Sequence, residues 1–183
     1  MYLSEPLKLA WVRVPKTGST SFKNATQDAA KWKELGADHG TLFDDEVPEG
    51  YTTLITIRNP YDWVRSVYGM CIGERSHWGV YVNEESNKRR KSVDAFFTFF
   101  KKTQLDWVRN PDGAIEVDEV VCIENVTEFF SKHGVPLAGL GHENKTNSHV
   151  LGLFEWTKER RIWVRRKFAA ELKFYPNDIA NSK

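Results

Sequence analysis

The chain has 183 residues, 40% of them hydrophobic and 13% aromatic; at roughly 100–200 residues per domain this fits one domain able to bury about 70% of its unfolded surface, and it excludes disorder as the main state. Twenty-six basic residues against 25 acidic ones leave a formal net charge of +1, so a general nucleic-acid binder with a broad positive field is excluded and any anion site must be local. The two cysteines, Cys71 and Cys122, are far apart and outside Cys-x-x-Cys spacing, which argues for reduced thiols rather than a disulfide framework or a zinc site.

Leu7 to Val14 is an apolar-rich run closed by Pro15 and reads as a buried strand. The loop Pro15-Lys16-Thr17-Gly18-Ser19-Thr20-Ser21 follows, and then Phe22, Ala25, Ala29 and Trp32 recur at helical spacing, predicting a helix that ends near Gly36. A second strand is predicted over Tyr51 to Ile57, which is rich in β-branched residues. At its end Asn59 fits an N-cap, Pro60 the first helical position and Asp62 the first turn, so a helix starts there with the apolar stripe Val64, Val67, Tyr68, Cys71 and Ile72. Asn59, Trp63 and Ser66 share its other face.

Residues 73 to 91 are polar and include the basic run Lys88 to Lys91; the segment reads as a long loop or lid. Ser92 caps a predicted helix with the core face Val93, Phe96, Phe97 and Phe100. Glu119 to Ile123 is a third strand, followed by a short helix to Gly134 and a loop rich in Gly and Asn over residues 136 to 148. A basic amphipathic helix, Thr157 to Tyr175, ends the pattern with Val164, Phe168 and Leu172 inward. Strands alternating with helices predict a single α/β domain over residues 1–183, with a mostly parallel central sheet flanked by helices in three layers and ligands at the C-terminal strand ends. With no run of 18 apolar residues and no signal-peptide pattern, the expected location is cytoplasmic.

Both informative loops join a strand's C-terminal end to a helix N-terminus, where unpaired N–H groups and the helix dipole favour anions. The first supplies Lys16, the hydroxyls of Thr17, Ser19, Thr20 and Ser21, and Gly18 for close backbone approach. The second supplies Arg58, suited to a bidentate grip, and Ser66 two turns into the helix. Two anion pockets on neighbouring strands imply a ligand with two phosphate-like ends.

Residues 15–21 resemble the 5′-phosphosulfate loop of sulfotransferases, and Ile57-Arg58-Asn59-Pro60-Tyr61-Asp62-Trp63-Val64-Arg65-Ser66-Val67-Tyr68 resembles their 3′-phosphate motif, in the same order. Cys122 to Val126 and Asn144-Lys145-Thr146 are similar to later motifs of the carbohydrate-type and related bacterial branch. Trp63 departs from the pattern, which usually has Arg there. The resemblance implies a P-loop-like fold and a transferase using 3′-phosphoadenosine 5′-phosphosulfate (PAPS) as donor and releasing 3′-phosphoadenosine 5′-phosphate (PAP). It implies cofactor contacts from Lys16, Thr17, Gly18, Ser19, Thr20, Ser21, Arg58 and Ser66, and no metal.

The acceptor expected is a hydroxyl, on a carbohydrate or small alcohol, with no nucleic-acid or membrane partner. Lys16 is the expected stabiliser of leaving-group charge. His39 is the expected general base, with Glu74 and His77 as competitors. His142 and His149 lack the clustering of a metal site. Trp63 either stacks near adenine or fills a gap in the core. Two alternatives are a non-catalytic module that binds a bisphosphorylated nucleotide and a P-loop kinase or NTPase; the latter is disfavoured because Lys16 precedes Gly18, reversing the usual order.

Overall fold

Leu9, Ala10, Trp11 and Val12 are all buried, so the strand they form, β2 (Leu9–Val12), is covered on both faces. In the computed structural model, which describes residues 1–37, 39–72, 93–135, 137 and 154–176, β2 is the middle of a five-stranded sheet. The other strands are β1 (Tyr2–Ser4), β3 (Lys33–Glu34), β4 (Thr52–Ile57) and β5 (Glu119–Cys122), in the order β3-β1-β2-β4-β5. β2 pairs parallel with β4, and β4 parallel with β5. β1 pairs antiparallel with both β2 and β3. The sheet is therefore mixed, not mostly parallel as the alternation of elements predicts.

The reason is a hairpin that local pattern hides. Ser4 Oγ accepts the Leu7 N–H at 3.3 Å and Lys8 turns left-handed at φ 51°, so Leu7 and Lys8 belong to a turn and the predicted strand starts only at Leu9. The helix after the loop also stops earlier than its periodicity suggests: α1 spans Ser19–Ala30. Lys31, at φ 50°, donates its N–H to Gln27 O at 2.8 Å, ending the helix in a left-handed cap. Trp32 then drops into the core and Lys33–Glu34 joins the sheet.

The chain divides into two compact units. The first, Met1–Arg58 with Gln104–Glu143, contains the whole sheet. Tyr2, Leu9, Trp11, Leu54 and Val121 on one sheet face pack with Phe22 and Ala30 of α1, with Trp32, and with Val126 and Phe130 of α4 (Val126–Lys132). Trp11 meets Trp32 and Phe130 at 5.4 and 6.1 Å between ring centroids. Burying a side chain of the size of Phe130 is worth about 1.5–3 kcal/mol, so this cluster is a main support of the unit. The buried indoles keep partners: Trp32 Nε1 donates to Thr26 Oγ1 at 2.7 Å and Trp11 Nε1 to Thr56 Oγ1 at 3.3 Å. A 3-10 helix, Gln104–Val108, and the single turn Ile123–Asn125 complete it.

The second unit, Asn59–Thr103 with Asn144–Lys183, is built on α2 (Pro60–Ile72), α3 (Val93–Phe99) and α5 (Lys158–Lys167). The Asn59 side chain accepts the Tyr61 N–H at 3.0 Å, as an N-cap should. Trp63 is fully buried, edge-on to Phe100 and Phe168 at 5.9 and 5.7 Å, and so fills the core of this unit. Tyr68 packs likewise on Phe96 and Phe154. The terminal helix is capped by Thr157 but breaks at Phe168, after which a 3-10 turn, Glu171–Phe174, replaces the predicted continuous helix. No helix among the described residues is long and apolar enough to cross a membrane.

Candidate functional site

β2 and β4 are parallel neighbours, so their C-terminal ends lie side by side, and each runs into one of the two loops singled out by the sequence. Lys16 stands at the first of these ends and Arg58 at the second, both partly buried. Lys16 has its ammonium pushed below the ordinary value of 10.5, first by burial and then by the positive charge of Arg58. No hydrogen bond or ion pair ties the side chain of either cation among the described residues. Two cations that repel each other at one site, without a compensating carboxylate among the described residues, form a locus that favours an anion.

The backbone adds to this. Lys16 and Gly18 have φ of 68° and 74°, on either side of Thr17, and left-handed residues of this kind recur in the backbone nests that bind anions. Gly18 is also the N-cap of α1, which has neither a side-chain cap nor an acid in its first turn, so the positive end of the helix dipole meets no carboxylate of its own first turn. A β-carbon at Gly18 would stand 2.9 Å from Ile123 Cδ1 and 3.1 Å from Phe22 Cε2, so both the dihedral and the space call for glycine.

The hydroxyls of the loop divide into two kinds. Thr17 is fully buried; its Oγ1 donates to Val14 O at 2.8 Å and lies 3.2 Å from Thr56 Oγ1, so the side chain braces the loop. Ser19 and Thr20 instead accept hydrogen bonds from a buried guanidinium: Arg13 Nε donates to Ser19 Oγ at 3.3 Å and an Arg13 terminal nitrogen to Thr20 Oγ1 at 3.1 Å. Arg13 also donates to Tyr2 OH at 2.8 Å and lies over the Tyr2 ring at 4.7 Å. Ser21 is partly buried in the first turn of α1.

His39 belongs to the same unit. Its Nδ1 is 2.9 Å from the Arg13 carbonyl oxygen. A carbonyl only accepts, so Nδ1 carries the hydrogen and the neutral ring keeps its lone pair on Nε2, the arrangement a general base needs. The His39 carbonyl accepts from Trp107 Nε1 at 2.9 Å, and its φ of 61° is a second left-handed, non-glycine backbone at this site.

Gln104, fully buried, holds the backbone of Arg58 from both sides, its Oε1 accepting the N–H and its Nε2 donating to the C=O, each at 2.7 Å.

No family model, curated protein or solved structure matches this chain.

Lys16, Thr17, Gly18, Ser19, Thr20, Ser21, His39 and Arg58 all fall in the first unit, whereas Ser66 is buried on α2 in the second. Glu74, His77, Lys88 to Lys91, His142, Asn144 to Thr146 and His149 lie outside the described residues. Among the described residues no group of three or more His, Cys, Asp or Glu is placed to hold a metal. Sequence reasoning missed Arg13, Gln104 and Trp107. Arg13 had a signal: a charged residue inside the apolar run Leu9 to Val14 has to find buried polar partners. Gln104 and Trp107 act across 46 and 68 residues of chain and left none.

Proposed function

We propose that this protein is a sulfotransferase that moves a sulfuryl group from PAPS to a hydroxyl acceptor, on a carbohydrate or small alcohol. The observation that carries the proposal is the pairing of Lys16 with Arg58: two cations near enough to feel each other, with no acid paired to them among the described residues, at the adjoining ends of parallel strands. A P-loop-like arrangement of the loop fits this placement. The donor nucleotide suits the residues present, since it offers one oxyanion to the Lys16 loop and a second to Arg58.

Sulfuryl transfer asks a protein for positioning, charge stabilisation and a proton acceptor. His39 Nε2 takes the acceptor's proton as the acceptor oxygen bonds to sulfur. The bond between sulfur and the bridging oxygen of the 5′-phosphate breaks, and its electron pair stays on that oxygen. Lys16 and the N–H groups around Gly18 neutralise the charge left there. The 3′-phosphate contact with Arg58 separates this donor from ATP.

Radiolabelled sulfate transfer from PAPS across carbohydrate, phenol and small-alcohol acceptors tests the assignment. Labelled product that disappears in Lys16→Ala is the expected outcome. Tight PAP binding without transfer to any acceptor identifies a non-catalytic nucleotide-binding module. ATP turnover indifferent to PAPS identifies a kinase or NTPase.

A further inference from the structure

The buried guanidinium of Arg13 decides what kind of oxyanion the loop accepts. Ser19 Oγ and Thr20 Oγ1 both accept from it, and Ser19 is 3% exposed. An arginine side chain is charged at any working pH and is a donor only. Each of these hydroxyls therefore has a lone pair occupied by an obligate donor, and neither hydroxyl hydrogen has an acceptor among the described residues. The Lys16 ammonium and the N–H groups at the start of α1, which has no side-chain cap, are donors as well.

We propose that Arg13 is a specificity-determining residue that turns residues 16–20 into an all-donor cradle, selecting oxyanions that carry no hydrogen over those that do. A sulfate or a phosphosulfate anhydride presents only acceptors to such a cradle. A hydrogen phosphate must place one O–H against donors, leaving that hydrogen unpaired. The inference rests on reading this loop as the oxyanion site of the proposed transferase and adds its selectivity. On that reading, the cradle favours the donor, whose phosphosulfate carries no hydrogen at neutral pH, over a product whose 5′-phosphate has begun to protonate near pH 6.

Inorganic sulfate and inorganic phosphate at pH 8 provide the test, because both are then essentially dianions and differ by one hydrogen. Titrated into the full chain and followed by calorimetry, sulfate is expected to bind at least tenfold more tightly than phosphate. Arg13→Lys keeps the buried charge but loses the fork, and the preference should fall to within about threefold. Should Arg13→Lys fail to fold, the double variant Ser19→Ala, Thr20→Val leaves Arg13 in place, and the same collapse of the ratio is expected. Equal binding of the two ions by the unmodified protein, no binding of either, or an unchanged ratio in the variants overturns the proposal. None of these readouts needs PAPS, so a failed transfer assay and a failed cradle are told apart.

Discussion

Gln104 grips Arg58 by its peptide, not by its charge: one amide meets both the N–H and the C=O of that residue at 2.7 Å. The backbone of Arg58 is thereby fixed while its guanidinium takes no part in the contact. Gln104→Leu should strip two part-buried peptide groups of their partner and cost about 1–3 kcal/mol in urea unfolding. On the proposed function it should also weaken binding of PAP about tenfold while leaving adenosine 5′-phosphate, which lacks the 3′-phosphate, little changed. Equal losses for both nucleotides would mean that Gln104 supports the fold without aiming Arg58.

Lys16 sits at the site against its own folding preference. Its φ of 68° costs an ordinary residue about 1–2 kcal/mol, and its ammonium is desolvated beside Arg58. Lys16→Gly should therefore leave the unliganded protein at least as stable as the parent and yet reduce sulfate transfer at least a hundredfold, the scale seen when a preorganised charge-stabilising group is removed. Parallel urea unfolding and turnover measurements check both halves.

The same residue predicts a pH dependence with a definite sign. The folded chain disfavours the ammonium, so folded Lys16 releases its proton at lower pH than unfolded Lys16, whose ordinary value is 10.5. Below the folded value the penalty is fully present. Between the two values the unfolded chain binds more protons, so the contribution of Lys16 to stability rises with pH. The stability gap between the parent and Lys16→Gly should narrow from neutral pH towards 10.5, and a gap that widens would contradict the burial of this ammonium.

Gly18→Ala should be destabilising by about 1–2 kcal/mol, since φ is 74° and the new carbon meets Ile123 and Phe22. The loss should be accompanied by weaker sulfate binding, because the N–H groups on either side move with the strained residue. Chemical denaturation and calorimetry on one sample report both effects.

Cys71 is buried, and that burial pushes its thiol up to about 12. Cys122 is buried as well. A thiol-specific reagent at pH 8 should leave the folded protein unlabelled and titrate two groups per chain in urea. Rapid labelling of Cys71 in the native state would show that α2 opens far more readily than its packing indicates.

What was legible in the sequence was local. Asn59, Pro60 and Asp62 announce the start of α2, and Lys16, Gly18 and the surrounding hydroxyls announce the loop, because capping and turn chemistry are written within a few residues. β4 and β5 were legible through their β-branched runs. The antiparallel edge was not: Tyr2 opposite Glu34 and Leu3 opposite Lys33 is a pairing of short segments that carry almost no pattern of their own. The end of α1 was missed because Trp32 continues the helical spacing of Phe22, Ala25 and Ala29 yet reaches the core from beyond the cap, held by its bond to Thr26. For Trp63 the sequence leaves stacking near adenine and filling the core equally open, and only its packing against Phe100 and Phe168 places it inside.

Arg13 touches the loop with its side chain and His39 with its carbonyl. On the proposed function, occupancy of the cradle and the tilt of the imidazole would be mechanically linked variables: an anion that draws Ser19 and Thr20 inward would also tug the strand end from which the ring hangs. Energetic coupling between Ser19 and His39 in a double-mutant cycle would follow, although the two side chains need never meet.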